Sequence, residues 1–468
     1  MFGLDTGLTL LLIFCILCAC AFEFINGFHD TANAVATVIY TKSLKPMQAV
    51  VLSGIFNAVG VFAGGIAVAM AIVNLLPPES LVNQEMSQNI AMILALLFSA
   101  IIWNLGTWWL GIPASSSHTL IGSILGVGIV FSLVSPVGNL SGVNWGKASD
   151  IGLSLLISPL LGFGLTILMM ALFKRFITDA AMFKAPVGDQ PPKGWIRGLL
   201  ILSCTGLSFT HGSNDGQKGV GLIMLILISI APLSFAVDRS KDILELEKPT
   251  KIVLNEMILL DEVRLPPIER AIVDQVKAEL FDISQVFDKH RSEGDIPETE
   301  YLNLRKDIIF IGNYLKKLKK SGNLNALGES SIKRIDDAVK EMKTFTEYAP
   351  KFVIFLIAIS LGLGTMVGWK RIVVTIGEKI GKENLTYAQG TSAGIVAAIT
   401  IGIASSTGLP VSTTQVLSSG IAGSMVSSNG VKNLQGGTIR NIAIAWLLTL
   451  PVTIILSGGL FYIFRLIF

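Results

Sequence analysis

The chain has 468 residues, 51% hydrophobic and 15% charged, with a mean hydropathy of +0.65 and a net charge of +3. Soluble domains carry about 25% charged residues, so the composition argues against a soluble enzyme or a nucleic-acid-binding protein and for a chain that lies mostly in lipid. Cys15, Cys18, Cys20 and Cys204 sit in apolar stretches without metal-ligand or disulfide spacing and read as packing residues.

Apolar runs of the roughly 20 residues needed to cross a bilayer fall near 8–40, 47–75, 149–173, 196–235, 350–369 and 441–464. The first lacks a basic leader and runs on into a polar motif, so it reads as a membrane helix and not as a cleaved signal. Two further stretches, 89–134 and 386–428, are interrupted by Pro113 and Pro410. Proline ends a helix, and each stretch reads as a helical hairpin broken at mid-membrane. Between Asp238 and Lys351 lie 20 of the 36 Lys/Arg and 22 of the 33 Asp/Glu. That block reads as a soluble insert, and Ile332, Ile335, Val339 and Met342 recur in it at helical spacing.

Two motifs occur twice, in the same order. Gly27-Phe28-His29-Asp30-Thr31-Ala32-Asn33-Ala34 matches Gly212-Ser213-Asn214-Asp215-Gly216-Gln217-Lys218-Gly219, and Ile112-Pro113-Ala114-Ser115-Ser116-Ser117 matches Leu409-Pro410-Val411-Ser412-Thr413-Thr414. Asp30 and Asp215 stand 185 positions apart, Pro113 and Pro410 297. The excess of 112 is close to the length of the charged block, which is thus an insertion into the second repeat. The chain divides into a first transmembrane repeat (1–175), a cytoplasmic linker (176–195), the first part of a second repeat (196–235), the insert (236–349) and the remainder of the second repeat (350–468). Basic residues of the short loops collect on one side, from Lys42 and Lys45 to Lys432 and Arg440, leaving Lys147 and Arg465 on the other. The positive-inside rule then places both termini and the insert outside a cell membrane and inverts one half relative to the other. The fold expected is an all-α polytopic membrane protein, two inverted-topology repeats with broken helices and two helical hairpins, plus a small helical soluble insert.

A carboxylate deep in an apolar span is costly and marks a functional site. Its recurrence in both halves is the mark of a transporter built from repeats. Gly27 and Gly212 are expected to loosen their helices so that freed carbonyls, with Asp30 and Asp215, coordinate a cation. Asn33 adds an amide oxygen where the second repeat has Lys218, which pairs either with an Asp or with the substrate. The hydroxyls of Ser115, Ser116 and Ser117 and of Ser412, Thr413 and Thr414 stand where helices restart, beside free N–H groups and the positive helix end, as an anion site requires. An oxyanion fits such a site best, and phosphate is the natural candidate; Gln217 is a further donor. Glu23, two turns before Asp30 on the same face, Asn104 and Asn214 are candidate coupling-ion ligands. The plainer readings are caps for the hydroxyls, a buried ion pair for Asp215 and Lys218, and an interhelical hydrogen bond for Asn104. His29 and His118 read as hydrogen-bonding groups, and Trp103, Trp108 and Trp109 as packing. No catalytic triad, metal-ligand spacing, Walker loop or nucleotide fingerprint is visible, which leaves secondary transport, without enzyme activity or a cofactor.

At these residues the chain resembles the inorganic phosphate transporters of the PiT type, whose signature is similar to Gly-x-Asn-Asp-x-x-Asn-Ala in each half and whose hairpin resembles Gly408-Leu409-Pro410-Val411-Ser412-Thr413-Thr414. The resemblance implies import of inorganic phosphate driven by Na⁺ or H⁺ through alternating access. It implies Na⁺ at Asp30, Asn33 and Asp215, and phosphate at Ser115, Ser116, Thr413 and Thr414. His29 and Lys218 stand where the signature has Asn, so a fixed positive charge can take the place of one cation. The rivals are a sulfate or metal–phosphate transporter on the same scaffold, an anion channel with a sensory external domain, and a receptor. The partners expected are phosphate, Na⁺ and the lipid bilayer; the glycine-rich helices are compatible with a homo-oligomer.

Overall fold

The computed structural model describes residues 2–77, 86–134, 142–261, 265–293, 297–368, 373 and 380–468; the side chains of residues 31, 33, 292 and 293 lie outside that description. The described residues are helical apart from loops and a single bridge between Gly381 and Leu434. Contacts divide the chain into two compact units: residues 6–226 with 349–468, and residues 1–5 with 227–348. Seven of the described helices are long and apolar enough to cross a membrane.

The first half comprises α1 (Thr6–Tyr40), α2 (Pro46–Ala63), α3 (Ala67–Val73), α4 (Met86–Trp109), α5 (Ser116–Val134) and α6 (Trp145–Phe176). The run expected as one span over 47–75 is two helices. Gly64 and Gly65 interrupt it, Gly65 with a φ of +72° that only glycine adopts without strain. The break is stapled from another helix: Gln217 Nε2 donates to Gly64 O at 2.5 Å and Gln217 Oε1 accepts from Val68 N at 2.8 Å.

α7 (Gly194–Ile230) opens the second half, and the charged helices α8 (Glu247–Ile258), α9 (Pro267–Glu293), α10 (Glu298–Lys320) and α11 (Glu329–Lys343) follow. The chain then resumes with α12 (Lys351–Thr365), α13 (Tyr387–Ser406), α14 (Thr413–Asn429) and α15 (Gly436–Ile467). Helices α4–α5 and α13–α14 are the two hairpins, and their turns are built alike. Gly111 and Gly408 take positive φ, Ile112 N donates to Thr107 O at 3.0 Å and Leu409 N to Ala404 O at 2.9 Å. This is the left-handed glycine closure of a helix end, with Pro113 or Pro410 preventing its continuation.

The halves grip each other through bare backbone. Gly27 of α1 and Gly364 of α12 leave room for each other's helix, and Gly212 of α7 and Gly60 of α2 do the same. Likewise Gly122 and Gly126 admit α15 against α5, and Gly162 and Gly423 bring α6 and α14 together. Small residues permit such approach in lipid, where no hydrophobic force pulls helices together. The outcome corrects one expectation. Gly27 and Gly212 do not loosen their helices, since α1 and α7 run unbroken through both acidic motifs. The missing Cβ, not the extra freedom, is what each position uses. A methyl at Gly212 would meet the Asn57 carbonyl well inside contact distance, whereas one at Gly152 of α6 would meet nothing within 4 Å.

The charged unit has its own core, in which Val276, Leu280 and Ile283 of α9 pack with Ile308 and Ile311 of α10. Ile335 and Met342 of α11 are buried in it, and Ile332 and Val339 pack at its edge. The guanidinium of Arg305 donates to Ala236 O and Thr346 O, at 3.0 and 2.9 Å, tying together the two ends of this unit. Burial and the neighbouring carboxyl of Glu279, with Asp282 beyond it, push the Asp307 carboxyl well above the usual range.

Gly212→Ala should therefore destabilise the purified protein by about 1–3 kcal/mol, and Gly152→Ala should not; thermal unfolding in detergent of the two variants checks the contrast. For Asp307 the sign follows from its raised folded pKa, because the unfolded carboxyl loses its proton first as pH rises. The charged unit should lose stability as pH climbs above the ordinary Asp range, and Asp307→Asn should flatten that slope in melting profiles taken from pH 5 to pH 8, about the span over which the two states hold different protons.

Candidate functional site

Both hairpin turns and both acidic motifs converge within the first unit described. Asp30 of α1 is 1% exposed. Its Oδ1 accepts from Thr414 Oγ1 at 2.7 Å, and its Oδ2 from Ser116 Oγ at 3.0 Å and from Thr413 Oγ1 at 3.5 Å. One carboxylate is thus held by hydroxyls from both hairpins, each at the first turn of a restarted helix. Two imidazoles flank it: His29 Nδ1 lies 3.4 Å from Oδ1 and His211 Nε2 lies 3.8 Å from Oδ2.

Asp215 of α7 is fully buried and is balanced differently. Lys218, one turn on, donates to Asp215 Oδ1 at 2.6 Å, to Ser117 Oγ at 2.5 Å and to Val411 O at 3.0 Å. An ammonium has three protons, so each is directed: one to its carboxylate and one to each hairpin turn. Ser117 Oγ also donates to Val411 O at 2.8 Å, and Asn214 fixes the second turn by donating to Leu409 O and accepting from Val411 N, at 3.2 and 3.4 Å.

His211 joins the two carboxylates. Its Nε2 is 3.4 Å from Asp215 Oδ2, and its Nδ1 stands 3.0 Å from Asn57 Oδ1, whose Nδ2 donates to Thr365 Oγ1 at 2.8 Å. One ligand atom from each of Asp30, His211 and Asp215 lies within 4.8 Å of the others, a grouping able to hold a cation. Neither His211 nor Asn57 figures among the residues that the sequence points to. The signal for His211 is its place four residues, one helical turn, before Asp215, on the same face. It also aligns with Asn26 in the first repeat, just outside the motif that begins at glycine.

The remaining candidates have other partners. Ser115 Oγ accepts from His118 N at 3.2 Å and faces His118 Nδ1 at 2.8 Å, while Ser412 Oγ accepts from Gln415 N at 3.2 Å as a helix cap. Gln217 is occupied with the α2–α3 break and with Ser213 O and Ser405 Oγ. His29 Nε2 lies 3.4 Å from Thr107 Oγ1. Trp108 packs on Phe28 with ring centres 4.8 Å apart, Trp103 Nε1 donates to Thr449 at 3.2 Å, and Trp109 is exposed. The Asn33 side chain lies outside the described residues. Glu23 and Asn104 are fully buried, and the Asn104 backbone carbonyl accepts from Thr107 Oγ1 at 3.2 Å.

Removing the ammonium strands a buried carboxylate. Lys218→Met should lower stability by about 3–5 kcal/mol, and adding Asp215→Asn to it should recover much of the loss. Thermal unfolding of the two single variants and the double variant reads the coupling directly.

Comparison with known proteins adds the family. Residues 26–457 match the model of the phosphate transporter family. The chain is 39% identical to the low-affinity inorganic phosphate transporter PitA of Escherichia coli (strain K12) and 40% identical to PitB of the same strain, each over 98% of both chains. A probable low-affinity inorganic phosphate transporter of Bacillus subtilis (strain 168) is 29% identical over 98% of this chain and 99% of its own. A solved structure described as the sodium-dependent phosphate transporter has the same fold, with a TM-score of 0.55 at 20% identity, covering 98% of this chain and all of the other. A family match that takes in both hairpins and both acidic motifs, on a chain with seven helices fit to span a bilayer, has one meaning: the chain is a membrane protein belonging to the phosphate transporter family.

Proposed function

We propose that this protein imports inorganic phosphate together with a cation, Na⁺ in the first instance, by alternating access. The observation that carries the proposal is the convergence of Ser116 from one hairpin and Thr413 and Thr414 from the other on the single carboxylate of Asp30. Donors from two separate elements aimed at one anionic group are what an oxyanion with several acceptors requires. The hydroxyls and restarted helix ends at 115–117 and 412–414 would receive phosphate. Asp30 and Asp215, with Asn33, would hold the cation that makes a phosphate tenable beside two buried carboxylates.

The relatives named as low-affinity phosphate transporters support the substrate, and the sodium-dependent neighbour supports the ion. A proton in place of Na⁺ is the second reading, favoured by His211 between the two carboxylates. Basic loop residues on one side support inverted halves, with both termini and the insert outside the cell.

Asp30→Asn, and Asp215→Asn combined with Lys218→Met so that no buried charge is stranded, should each abolish gradient-driven uptake of ³²P-phosphate into proteoliposomes while the protein stays folded. Imposing Na⁺ and pH gradients separately identifies the ion: uptake that needs inward Na⁺ at constant pH means sodium symport. Uptake that ignores both gradients would overturn the proposal, and equal competition by sulfate would overturn the substrate. Thr413→Val removes one donor without changing shape and should weaken phosphate binding by about tenfold to a hundredfold, the worth of one hydrogen bond to a charged group.

A further inference from the structure

Three side chains apart from the converging turns carry oxygens that no donor reaches. Glu23 and Asn26 of α1 and Asn104 of α4 are each at most 1% exposed. Asn26 Nδ2 donates to Glu23 Oε2 at 3.2 Å, but Glu23 Oε1, Asn26 Oδ1 and both amide atoms of Asn104 have no hydrogen-bond partner. Buried polar atoms are almost always paired, so orphaned oxygens on two adjoining helices need a cause.

The register brings them together. α1 and α4 run side by side in the same direction, since Phe14 meets Phe98, Phe28 meets Trp108 and His29 meets Thr107. Asn26 lies one turn before His29 and Asn104 one turn before Thr107, so the two amides stand at one level, with Glu23 a turn further along the same face. α7 closes over the carboxylate at Gly219, where an added Cβ would stand 2.6 Å from Glu23 Cδ and 2.7 Å from its Oε1. The neighbouring Lys218 directs its protons elsewhere, to Asp215, Ser117 and Val411.

We infer that Glu23, Asn26 and Asn104 form a second cation site, distinct from Asp30, His211 and Asp215, that takes a sodium-sized monovalent ion. One carboxylate and two neutral amide oxygens are hard ligands whose total charge matches a single positive charge. A proton on Glu23 would satisfy Oε1 and leave the amide oxygens unmet, whereas one cation serves all three. The inference rests on the cation-coupled reading only for the role of the ion, as one of those moved with the substrate.

The test is equilibrium binding of ²²Na⁺ to the full chain in lipid nanodiscs, with phosphate uptake measured on the same preparations. Glu23→Gln keeps the shape and removes the charge, and Asn104→Leu removes an amide oxygen without adding charge. Glu23→Gln should bind one Na⁺ fewer per chain than wild type, and Asn104→Leu should weaken that ion by about tenfold, the worth of roughly one such ligand contact. Wild-type stoichiometry and affinity in both variants would overturn the site while leaving a sodium-driven transporter intact. A loss of one bound ion in Glu23→Gln, in a protein whose uptake ignores Na⁺, would establish the site and overturn the coupling instead.

Discussion

Two carboxylates in a low-dielectric interior set the terms for everything else in this fold. An unpaired buried charge costs several kcal/mol even after relaxation, so Asp30 and Asp215 each demand compensation, and the chain supplies it in two ways. Asp215 has an ammonium on its own helix, 2.6 Å away. Asp30 is instead met by hydroxyls from two hairpins and by two imidazoles. The first arrangement is self-contained. The second exists only when both hairpins are in place, so the position of the turns and the solvation of Asp30 are one problem.

Helix breaks and glycine crossings follow from that demand. A serine or threonine in an intact helix tends to bond its own preceding turn, as Ser123 and Thr453 do to Thr119 O and Thr449 O. At a restarted helix the carbonyl one turn back is out of place, and the hydroxyl is free to aim elsewhere, as Ser116 and Thr414 do. The carboxylates must also reach the turns from helices that belong to different halves. The glycine pairs Gly27–Gly364 and Gly212–Gly60 let those helices cross at backbone distance, which seats Asp30 and Asp215 deep between the halves.

The hairpins were legible because two signals coincide at each, a proline and a run of hydroxyls, spaced alike at 113–117 and 410–414. The charged insert was legible from charge density alone. The roles of Gly27, Gly212 and Gln217 were not. Glycine is used both for freedom at positive φ and for its missing side chain, and a lone sequence does not separate them; Gly111 and Gly408 are the first kind, Gly27 and Gly212 the second. Gln217 stands inside an acidic motif and so invites a role at the site, but its amide bridges a helix break some 150 positions away in sequence. His211 escaped notice because it lies one residue before the repeated motif, although its spacing to Asp215 places it on the same face.

The donor inventory also shapes how a cation and an anion would share this site. Each Ser or Thr hydroxyl has one proton to give, and here Ser116 and Thr414 give theirs to Asp30. A phosphate bound at the same turns needs those protons, so the substrate and the Asp30 carboxylate compete for one set of donors. A cation on Asp30 ends the competition, because a carboxylate satisfied by a positive charge no longer requires the hydroxyls. In the proposed cycle the ion therefore does more than lower the Coulombic cost of bringing an anion near a carboxylate: it releases the groups that recognise the anion. The two contributions have the same sign, and by linkage the anion strengthens the cation's hold to the same degree. Lys218 lies outside this exchange, since its charge is matched by Asp215 and its remaining protons hold Ser117 and Val411. In the proposed cycle it would keep the two turns joined while the donors around Asp30 change partners.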